Sequence, residues 1–191
     1  MAGSQETAAP QVLVEHRAGM RELILNRPRV LNTLNLEMIR GLKHGLDAAR
    51  ADAGCRLVLL SGVGSRGFCA GKDLKALAQL VREQSWDRAM EFFQREYALD
   101  LELHRFPKPV MVLAAGITMG GGLGLAAGAD VVAVTEDSRL AMPETGIGFF
   151  PDVGATGCRR SWTPCHGAGT TSILTRRSYP GLSPVRPRPW R

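Results

Sequence analysis

The sequence contains two glycine-rich segments, at residues 62–72 and 116–124, and each directly follows a short apolar run. The runs, at residues 56–61 and 110–115, have the length of buried strands, and a helical pattern follows each glycine segment. Where a loop lacks Cβ atoms between a strand and a helix, its backbone N–H groups can approach a bound oxygen atom closely. The alternation of strand and helix predicts an α/β protein.

The rest of the first 156 residues continues this alternation. Residues 11–27 predict a β-hairpin with Ala18 and Gly19 at its turn, and Asn35 predicts the N-cap of a helix of about 17 residues. Further elements are predicted as helices at about 73–83 and 86–105, a strand at 131–135 and a loop-rich stretch at 139–154. In the helix at 86–105, six residues share one face: Trp86, Met90, Phe93, Tyr97, Leu101 and His104.

The net charge of +6 is unevenly distributed along the 191 residues. Residues 158–191 hold seven Arg and no acidic residue, whereas residues 1–157 have a net charge of −1. The basic segment is rich in proline and shows no helical or alternating apolar period, so no packed element is predicted there. We expect a folded core at 11–156 and a disordered tail at 157–191. Charge confined to such a tail is weak evidence for nucleic-acid binding, and we expect no nucleic-acid partner.

Several classes of protein are disfavoured by simple features. No apolar run approaches the roughly 18 residues of a membrane-spanning helix, so no membrane partner is expected. The four cysteines form no CxxC pair, and Cys69 is expected to be a buried core thiol rather than a nucleophile. The histidines show no metal-ligand spacing, and we expect no metal site. The first 16 residues contain no Lys or Arg, which predicts neither a signal peptide nor an Arg-rich transit peptide.

Neither glycine segment fits a dinucleotide-binding loop well. Residues 62–67 match GxGxxG, but the loop continues instead of entering a helix directly. Residues 122–127 match GxGxxA without the acidic residue expected about 20 positions later. Either loop alone is compatible with a tight connection. Two converging loops with carboxylates nearby would form an oxyanion hole, which binds the charge that develops on an acyl oxygen.

Three segments resemble the crotonase (enoyl-CoA hydratase/isomerase) superfamily: Asn26–Leu34, Phe68–Leu74 and Gly116–Gly124. A fourth, Met142–Gly154, is similar to the 3-hydroxyisobutyryl-CoA hydrolase branch of that superfamily. The resemblance covers about residues 11–156. It implies a spiral of β-β-α units, incomplete at the C-terminus, that binds acyl-CoA thioesters and has a role in valine breakdown.

The resemblance also implies an oxyanion hole made of two backbone amides, which fall on Lys72 and Gly121. The neighbouring residues Ala70, Gly120 and Gly122 would contact the substrate. Lys72 departs from the small residue that is common at its position. An amide donor needs no particular side chain, but the bulk of a lysine would narrow the pocket.

Glu144 and Asp152 are the catalytic residues that the resemblance implies. Glu144 would attack the thioester carbonyl itself or deprotonate a water molecule, and both routes remain open. Asp152 would orient the 3-hydroxyl of the acyl group or take part in proton transfer. Hydratases of the family have a second glutamate where this chain has Gly124, which argues against the hydration of an enoyl-CoA.

Three more residues are expected to bind substrate. Glu96, within a Phe-Phe-x-x-Glu-Tyr segment, would contact it directly, Asp73 would line the CoA path, and Arg29 would pair with a phosphate. Simpler interpretations remain open for the acidic residues. Glu144 would then be a helix-start acid, Asp152 a turn residue and Glu96 a solvated helix position.

These features together predict a thioester hydrolase similar to 3-hydroxyisobutyryl-CoA hydrolase, with coenzyme A as part of the substrate and no separate cofactor. Two alternatives remain: an enoyl-CoA hydratase or isomerase, and a non-catalytic fragment that binds an acyl-CoA or a protein partner. The family normally continues into helical C-terminal elements that this sequence lacks. The resemblance therefore implies a truncation near residues 155–158, and it leaves the activity and the homo-oligomeric state of this chain open.

Overall fold

The computed structural model describes residues 9–154, 163–166 and 171–175. Within these ranges the strands are β1 (Val12–Arg17), β2 (Met20–Leu25), β3 (Leu57–Gly62), β4 (Gly67–Cys69), β5 (Val110–Ala114), β6 (Ile117–Met119), β7 (Val131–Thr135), β8 (Arg139–Ala141), β9 (Thr163–His166) and β10 (Thr171–Thr175). The helices are α1 (Leu36–Ala51), α2 (Leu74–Arg82), α3 (Trp86–His104) and α4 (Gly121–Gly128). Two short 3-10 turns lie at Pro28–Val30 and Glu144–Ile147.

The strands form two sheets, and the chain alternates between them. The larger sheet has the order β1-β2-β3-β5-β7-β10-β9, and the smaller has the order β4-β6-β8. Strands β2, β3, β5 and β7 are parallel neighbours, as are β4, β6 and β8. Each of β3, β5 and β7 is followed by one strand of the smaller sheet, so the unit repeats along the chain. The predicted α/β class is confirmed.

The strands of the smaller sheet lie in segments that the sequence predicts as loops. Each has only three residues, which is too short to show the alternation that reveals a strand. Glycine allows the backbones to approach here: a Cβ on Gly67 would lie 2.7 Å from the Ile117 carbonyl oxygen. The glycine-rich segments are therefore partly sheet, and this pairing brings their ends together.

Helix α1 follows the sequence prediction closely. The Asn35 side chain accepts a hydrogen bond from the Met38 N–H at 2.9 Å and so caps the helix. The sequence also predicts an apolar stripe of Leu36, Ile39, Leu42, Leu46 and Ala49; Leu36 is partly buried and the other four are buried. Gly45 allows the helix to lie directly on β2, because a Cβ there would be 2.5 Å from a methyl carbon of Leu23.

Helix α3 buries a different face from the apolar one that the sequence presents. Four residues of the apolar face are between 40% and 58% exposed: Trp86, Met90, Tyr97 and Leu101. The buried face consists of Ala89, Phe92, Glu96, Leu99 and Leu103. The cause is the glycine-lined surface of α4, where Gly121 faces Glu96 and Gly128 faces Leu103. Close approach of two helices, rather than apolar period, decides which face turns inward.

The larger sheet includes two strands from the basic tail. β10 pairs antiparallel with β7, and β9 pairs antiparallel with β10. The expectation of no packed element in the tail is therefore wrong for residues 163–166 and 171–175. Backbone hydrogen bonds to the open edge of β7 support these strands, and such bonds leave little trace in side-chain periodicity. The boundary between a core at 11–156 and a tail stays a prediction, and the remaining tail residues lie outside the described ranges.

Asn32 ties the first 3-10 turn to the loop after β3. This side chain is fully buried; its Oδ1 accepts a hydrogen bond of 2.8 Å from the Arg27 N–H, and its Nδ2 donates to the carbonyls of Val63 and Gly67 at 3.1 and 3.2 Å. Its φ of 54° lies in the left-handed region, which asparagine tolerates better than most residues. One side chain thus fixes the first glycine-rich segment in place.

We expect Asn32→Ala to lower the free energy of unfolding by about 2–4 kcal/mol, because it leaves one buried and two partly buried backbone groups unpaired and places alanine at a positive φ. Urea unfolding measures this loss. Asn26→Ala is the control, since Asn26 donates one solvent-exposed hydrogen bond to the Pro10 carbonyl. The control should lose less than about 1 kcal/mol. Equal losses in the two variants would contradict the role of Asn32.

Candidate active site

The two glycine-rich segments meet at one point of the fold. Gly71 has a φ of +99°, and a Cβ at this position would lie 3.0 Å from the Met119 carbonyl oxygen and 3.4 Å from the Gly121 nitrogen. Glycine suits this position because it has no Cβ and adopts positive φ readily. The turn that leads into α2 and the turn that begins α4 are therefore in direct contact.

Two backbone N–H groups at this junction are candidates for binding an oxyanion. The bridge between Leu34 and Lys72 uses the Gly71 carbonyl and the Asp73 N–H, so the Lys72 N–H takes no part in it. Gly121 begins α4, and the N–H groups of a first helical turn have no acceptor within their own helix. Both amides have the freedom that an oxyanion hole requires, and this role stays a prediction.

The neighbouring residues Ala70 and Gly122 make structural contacts. The Ala70 N–H donates a hydrogen bond of 2.9 Å to the Leu31 carbonyl. A Cβ on Gly122 would collide with the Cys69 carbonyl oxygen, so glycine is needed there for packing. Packing therefore explains the glycine at position 122 without a substrate, and the predicted substrate contacts of both residues stay predictions.

Glu144 faces the glycine turn from the other side. It begins the second 3-10 turn and is buried, although the residues on either side of it are exposed. A Cβ on Gly120, whose φ is +49°, would lie 2.8 Å from Glu144 Oε1. Glu144 Oε2 has no hydrogen-bond partner among the described residues. A buried carboxylate oxygen without a hydrogen-bond partner is typical of a functional site, and the catalytic role of Glu144 stays a prediction.

Glu96 reaches the same junction from α3. It is fully buried, and a Cβ on Gly121 would contact its Oε1. Lys72 Nζ lies 3.3 Å from Glu96 Oε2. Burial raises the pKa of Glu96 to about 7, and the Lys72 ammonium opposes this shift. The alternative that Glu96 is a solvated helix position is therefore wrong.

Asp152 completes the carboxyl cluster, and two donors hold it. Lys72 Nζ donates a hydrogen bond of 2.9 Å to Asp152 Oδ1, and the Tyr97 hydroxyl donates one of 2.7 Å to Oδ2. Burial, together with this hydrogen bond, raises the pKa of Tyr97, so the hydroxyl keeps the proton that it donates. The rings of Phe93 and Phe149 flank the ammonium, each with its centroid 6.0 Å from Nζ.

Sequence reasoning missed two members of this cluster, Tyr97 and Asp100. Both carboxyl oxygens of Asp100 are buried without a hydrogen-bond partner among the described residues, and a Cβ on Gly124 would lie 3.1 Å from its Oδ2. Burial, and then the charge of Glu96, raise the pKa of Asp100 well above its ordinary value. Asp100 follows Glu96 by four residues, and this helical spacing was the available signal.

Asp73 and Arg29 make their contacts elsewhere. Asp73 caps α2 by accepting a hydrogen bond from the Ala76 N–H, and it forms an ion pair of 2.9 Å with Arg27. Arg29 and Arg66 line a surface cavity of about 340 Å³ beside the first 3-10 turn. Two guanidinium groups beside an open cavity suit a phosphate, and both predicted substrate contacts stay predictions.

Cys69 does not suit a nucleophilic role. It is a free, fully buried thiol, and burial raises its pKa to about 12. The thiolate is the nucleophilic form, so the prediction of an inert core thiol is confirmed.

Within the described ranges, no group of three or more His, Cys, Asp or Glu residues is arranged to hold a metal ion. None of the described helices combines the length and the apolar character needed to cross a membrane.

Comparison with known proteins shows the family of this chain. The family model described as Enoyl-CoA hydratase/isomerase matches residues 20–164. The chain belongs to this family. The predicted crotonase membership is thereby confirmed, and the alternation of the chain between two sheets is its crotonase-like fold.

Curated relatives of this crotonase include hydrolases. The mitochondrial 3-hydroxyisobutyryl-CoA hydrolase of Rattus norvegicus is 41% identical over 151 residues, which are 79% of this chain and 39% of that protein. The 3-hydroxyisobutyryl-CoA hydrolase 1 of Arabidopsis thaliana is 40% identical over 76% of this chain and 38% of its own length. This crotonase therefore spans about two fifths of the length of the relatives it matches.

Solved crotonase structures resemble the chain as well. A carnitinyl-CoA dehydratase from Mycobacterium thermoresistibile is 42% identical, with a TM-score of 0.73. The match covers 76% of this chain and 43% of that chain. The range matched by the family model, residues 20–164, includes both glycine-rich segments.

We expect Glu96→Gln to change the pH dependence of this crotonase's stability. Because burial raises the pKa of Glu96 to about 7, the folded protein binds the proton more tightly than the unfolded chain. Wild type therefore loses this contribution as the pH rises from about 4.5 to about 7, whereas the variant has no such loss. Across this range the variant should gain up to roughly 3 kcal/mol over wild type in urea unfolding.

Glu91→Gln, on the outer side of α3, is the matched control for this measurement. Hydrogen bonds from Arg95 and then Arg40 lower the pKa of Glu91, so its effect has the opposite sign. The control variant should lose stability slightly relative to wild type as the pH rises. Parallel pH profiles for wild type and Glu96→Gln would refute the assigned protonation of Glu96.

Proposed function

We propose that this protein hydrolyses the thioester bond of a short 3-hydroxyacyl-CoA such as 3-hydroxyisobutyryl-CoA. The observation that carries the proposal is the buried carboxylate of Glu144, which faces the turn at Gly120 and Gly121. Relatives at about 40% identity that are named 3-hydroxyisobutyryl-CoA hydrolases support the choice of reaction and substrate. Because the chain spans two fifths of those proteins, the activity is proposed for this chain rather than carried over from them.

The amides of Lys72 and Gly121 would bind the carbonyl oxygen of the thioester. Nucleophilic attack turns this carbonyl into a tetrahedral intermediate with a full negative charge on the oxygen. Two N–H groups that are already oriented stabilise that charge more than they stabilise the neutral carbonyl, which lowers the barrier. One donor of this kind typically contributes about 3–4 kcal/mol.

Glu144 would supply or activate the attacking oxygen. In one route its carboxylate attacks the carbonyl carbon, the CoA thiolate leaves, and water hydrolyses the resulting anhydride. In the other route Glu144 takes a proton from the attacking water and passes it to the departing thiolate. Both routes convert the thioester and one water molecule into a free acid and the CoA thiol.

Asp152 and Glu96 would hold the acyl group in position. A 3-hydroxyl can donate a hydrogen bond to the Asp152 carboxylate, which the Tyr97 hydroxyl already orients. Glu96, with a pKa of about 7, can donate or accept a hydrogen bond at neutral pH. Fixing the acyl chain in this way keeps the carbonyl carbon near Glu144 and lowers the entropic cost of attack.

The surroundings of Gly124 favour hydrolysis over hydration of an enoyl-CoA. A Cβ at this position would lie 2.6 Å from Val153 Cβ, so a side chain there requires the loop to move. Gly124 therefore supplies no carboxylate, and there is no space at this position for the second carboxylate that a hydratase would use. The hydratase alternative keeps only Glu144 of the two acids.

Coenzyme A would enter as part of the substrate, and no separate cofactor is proposed. The proposed reaction needs only water as a second reactant. The cavity beside Arg29 and Arg66 offers two cations for the CoA phosphates.

Release of the free CoA thiol from 3-hydroxyisobutyryl-CoA tests the proposal. Glu144→Gln should lower kcat/KM by about 10²–10⁴-fold, because the amide can neither attack nor accept a proton. Glu91→Gln, on the outer side of α3, should leave the rate unchanged. Unchanged turnover in Glu144→Gln would remove Glu144 from the mechanism.

Two outcomes for the wild-type protein would overturn hydrolysis itself. Tight binding of the CoA ester with no thiol release would support the non-catalytic alternative. Addition of water to crotonyl-CoA at a higher kcat/KM than thiol release would support the hydratase alternative. Both measurements use the same preparation, so they separate the three functions directly.

A further inference from the structure

The side chain of Lys72 is buried among carboxyl groups. Only 6% of it is exposed, and Nζ lies 2.9 Å from Asp152 Oδ1 and 3.3 Å from Glu96 Oε2. In the part of the chain that the structure describes, Lys72 supplies the positive charge in each ion pair of Glu96 and Asp152. Lysine is rarely buried to this extent without such partners. The ammonium is therefore held at a defined place within the carboxyl cluster.

The position of Lys72 in the chain relates its side chain to the proposed acyl site. Its backbone N–H is one of the two amides proposed to bind the thioester carbonyl, and its side chain runs from there to Asp152. An acyl group that extends from that carbonyl along this side chain would bring its third carbon close to the ammonium and Asp152.

The groups around the ammonium determine which acyl groups it accepts. Glu96 of α3 and Asp152 from the loop after β8 lie against it, and the Tyr97 hydroxyl holds Asp152. Asp100, Glu144 and the thiol of Cys69 interact electrostatically with Glu96. The ammonium already pairs with Asp152 and Glu96, so a further carboxylate on the acyl group would lie close to the Asp152 carboxylate and be repelled by it. An alkyl group would place apolar carbon against a charge without supplying a hydrogen-bond acceptor.

A hydroxyl group meets both requirements. It is neutral, so it adds no charge to a cluster that already holds several acids. It can accept a hydrogen bond from the Lys72 ammonium, of which one N–H is already used by Asp152. It can also donate to Asp152 itself. A 3-hydroxyacyl group therefore satisfies the donors and acceptors of this site better than the alkyl or the carboxylated acyl group of the same length.

We propose that Lys72 is the specificity-determining residue of the site, and that its ammonium selects neutral acyl groups with a hydroxyl on the third carbon over unsubstituted and carboxylated ones. The inference rests on the proposed function, because that function places the thioester carbonyl at the Lys72 and Gly121 amides. It goes further by assigning a role to a side chain for which the resemblance implied only a backbone role.

Three CoA esters that share one carbon skeleton test this selection: 3-hydroxyisobutyryl-CoA, isobutyryl-CoA and methylmalonyl-CoA. The wild-type protein should prefer the hydroxylated ester by at least about tenfold in kcat/KM over each of the others. Lys72→Met keeps the length of the side chain and removes its charge. It should reduce the preference over isobutyryl-CoA by at least about tenfold, mainly through a loss on the hydroxylated ester.

Two controls separate selection from damage to the fold. Lys75→Met changes an exposed lysine of α2 and should leave all three rates unchanged. If Lys72→Met unfolds because Asp152 and Glu96 lose their counter-charge, the double variant Lys72→Met with Glu96→Gln removes both members of one buried pair. Compared with Glu96→Gln alone, this double variant should show the same loss of preference.

The outcomes that overturn the proposal are distinct from failure of the hydrolase function. An unchanged preference in Lys72→Met, or an equal loss on all three esters, would contradict selection by the ammonium. If wild type releases no thiol from any ester, the hydrolase proposal fails. Selection is then measured by calorimetric binding of the non-hydrolysable thioether analogues of the three esters. Equal dissociation constants for the three analogues, or no binding, would overturn the role of Lys72.

Discussion

The absence of side chains along one short turn is the constraint on which the rest of the site depends. The glycines of this turn and of the turn against it each face a different neighbour: Gly71 faces Met119, Gly120 faces Glu144, Gly121 faces Glu96 and Gly122 faces Cys69. A Cβ at any of these positions would push one of those neighbours away. Because the Cβ atoms are missing, carboxylates from two distant parts of the chain can contact the same stretch of backbone.

The buried charges follow from that close approach. Ionised groups lose several kcal/mol of solvation each when they leave water, so they persist in the interior only where partners offset the loss. Lys72 provides such a partner for Asp152 and Glu96, and the Tyr97 hydroxyl provides a second for Asp152. The hydrophobic core around the cluster offsets the remaining cost of burying these charges. Because a site that contains little water has a low dielectric constant, it strengthens every interaction with a charge that develops during a reaction.

Periodic features of the sequence predicted most of the helices and strands. The predictions that failed concern places where two segments of backbone approach each other closely. The Asn35 cap, the hairpin turn at Ala18 and the buried stripe of α1 depend on residues near one another in the chain, so local patterns were sufficient. The inward face of α3 depends on glycines of α4, about 25 residues away. The family resemblance, rather than periodicity, predicted Glu144 and Asp152 as catalytic residues. The Lys72 side chain was missed because its partners are fixed only by the tertiary fold.

The ion pair between Lys72 and Asp152 joins residues that are 80 positions apart. Such a contact forms only when the tertiary fold brings two distant segments together. The other donor to Asp152, the Tyr97 hydroxyl, is 55 positions away, so local structure supplies neither partner. The charge balance of the site therefore depends on how firmly the segment that carries Asp152 is docked. A substitution that loosens this segment would expose the Lys72 ammonium to water without changing any residue of the cluster.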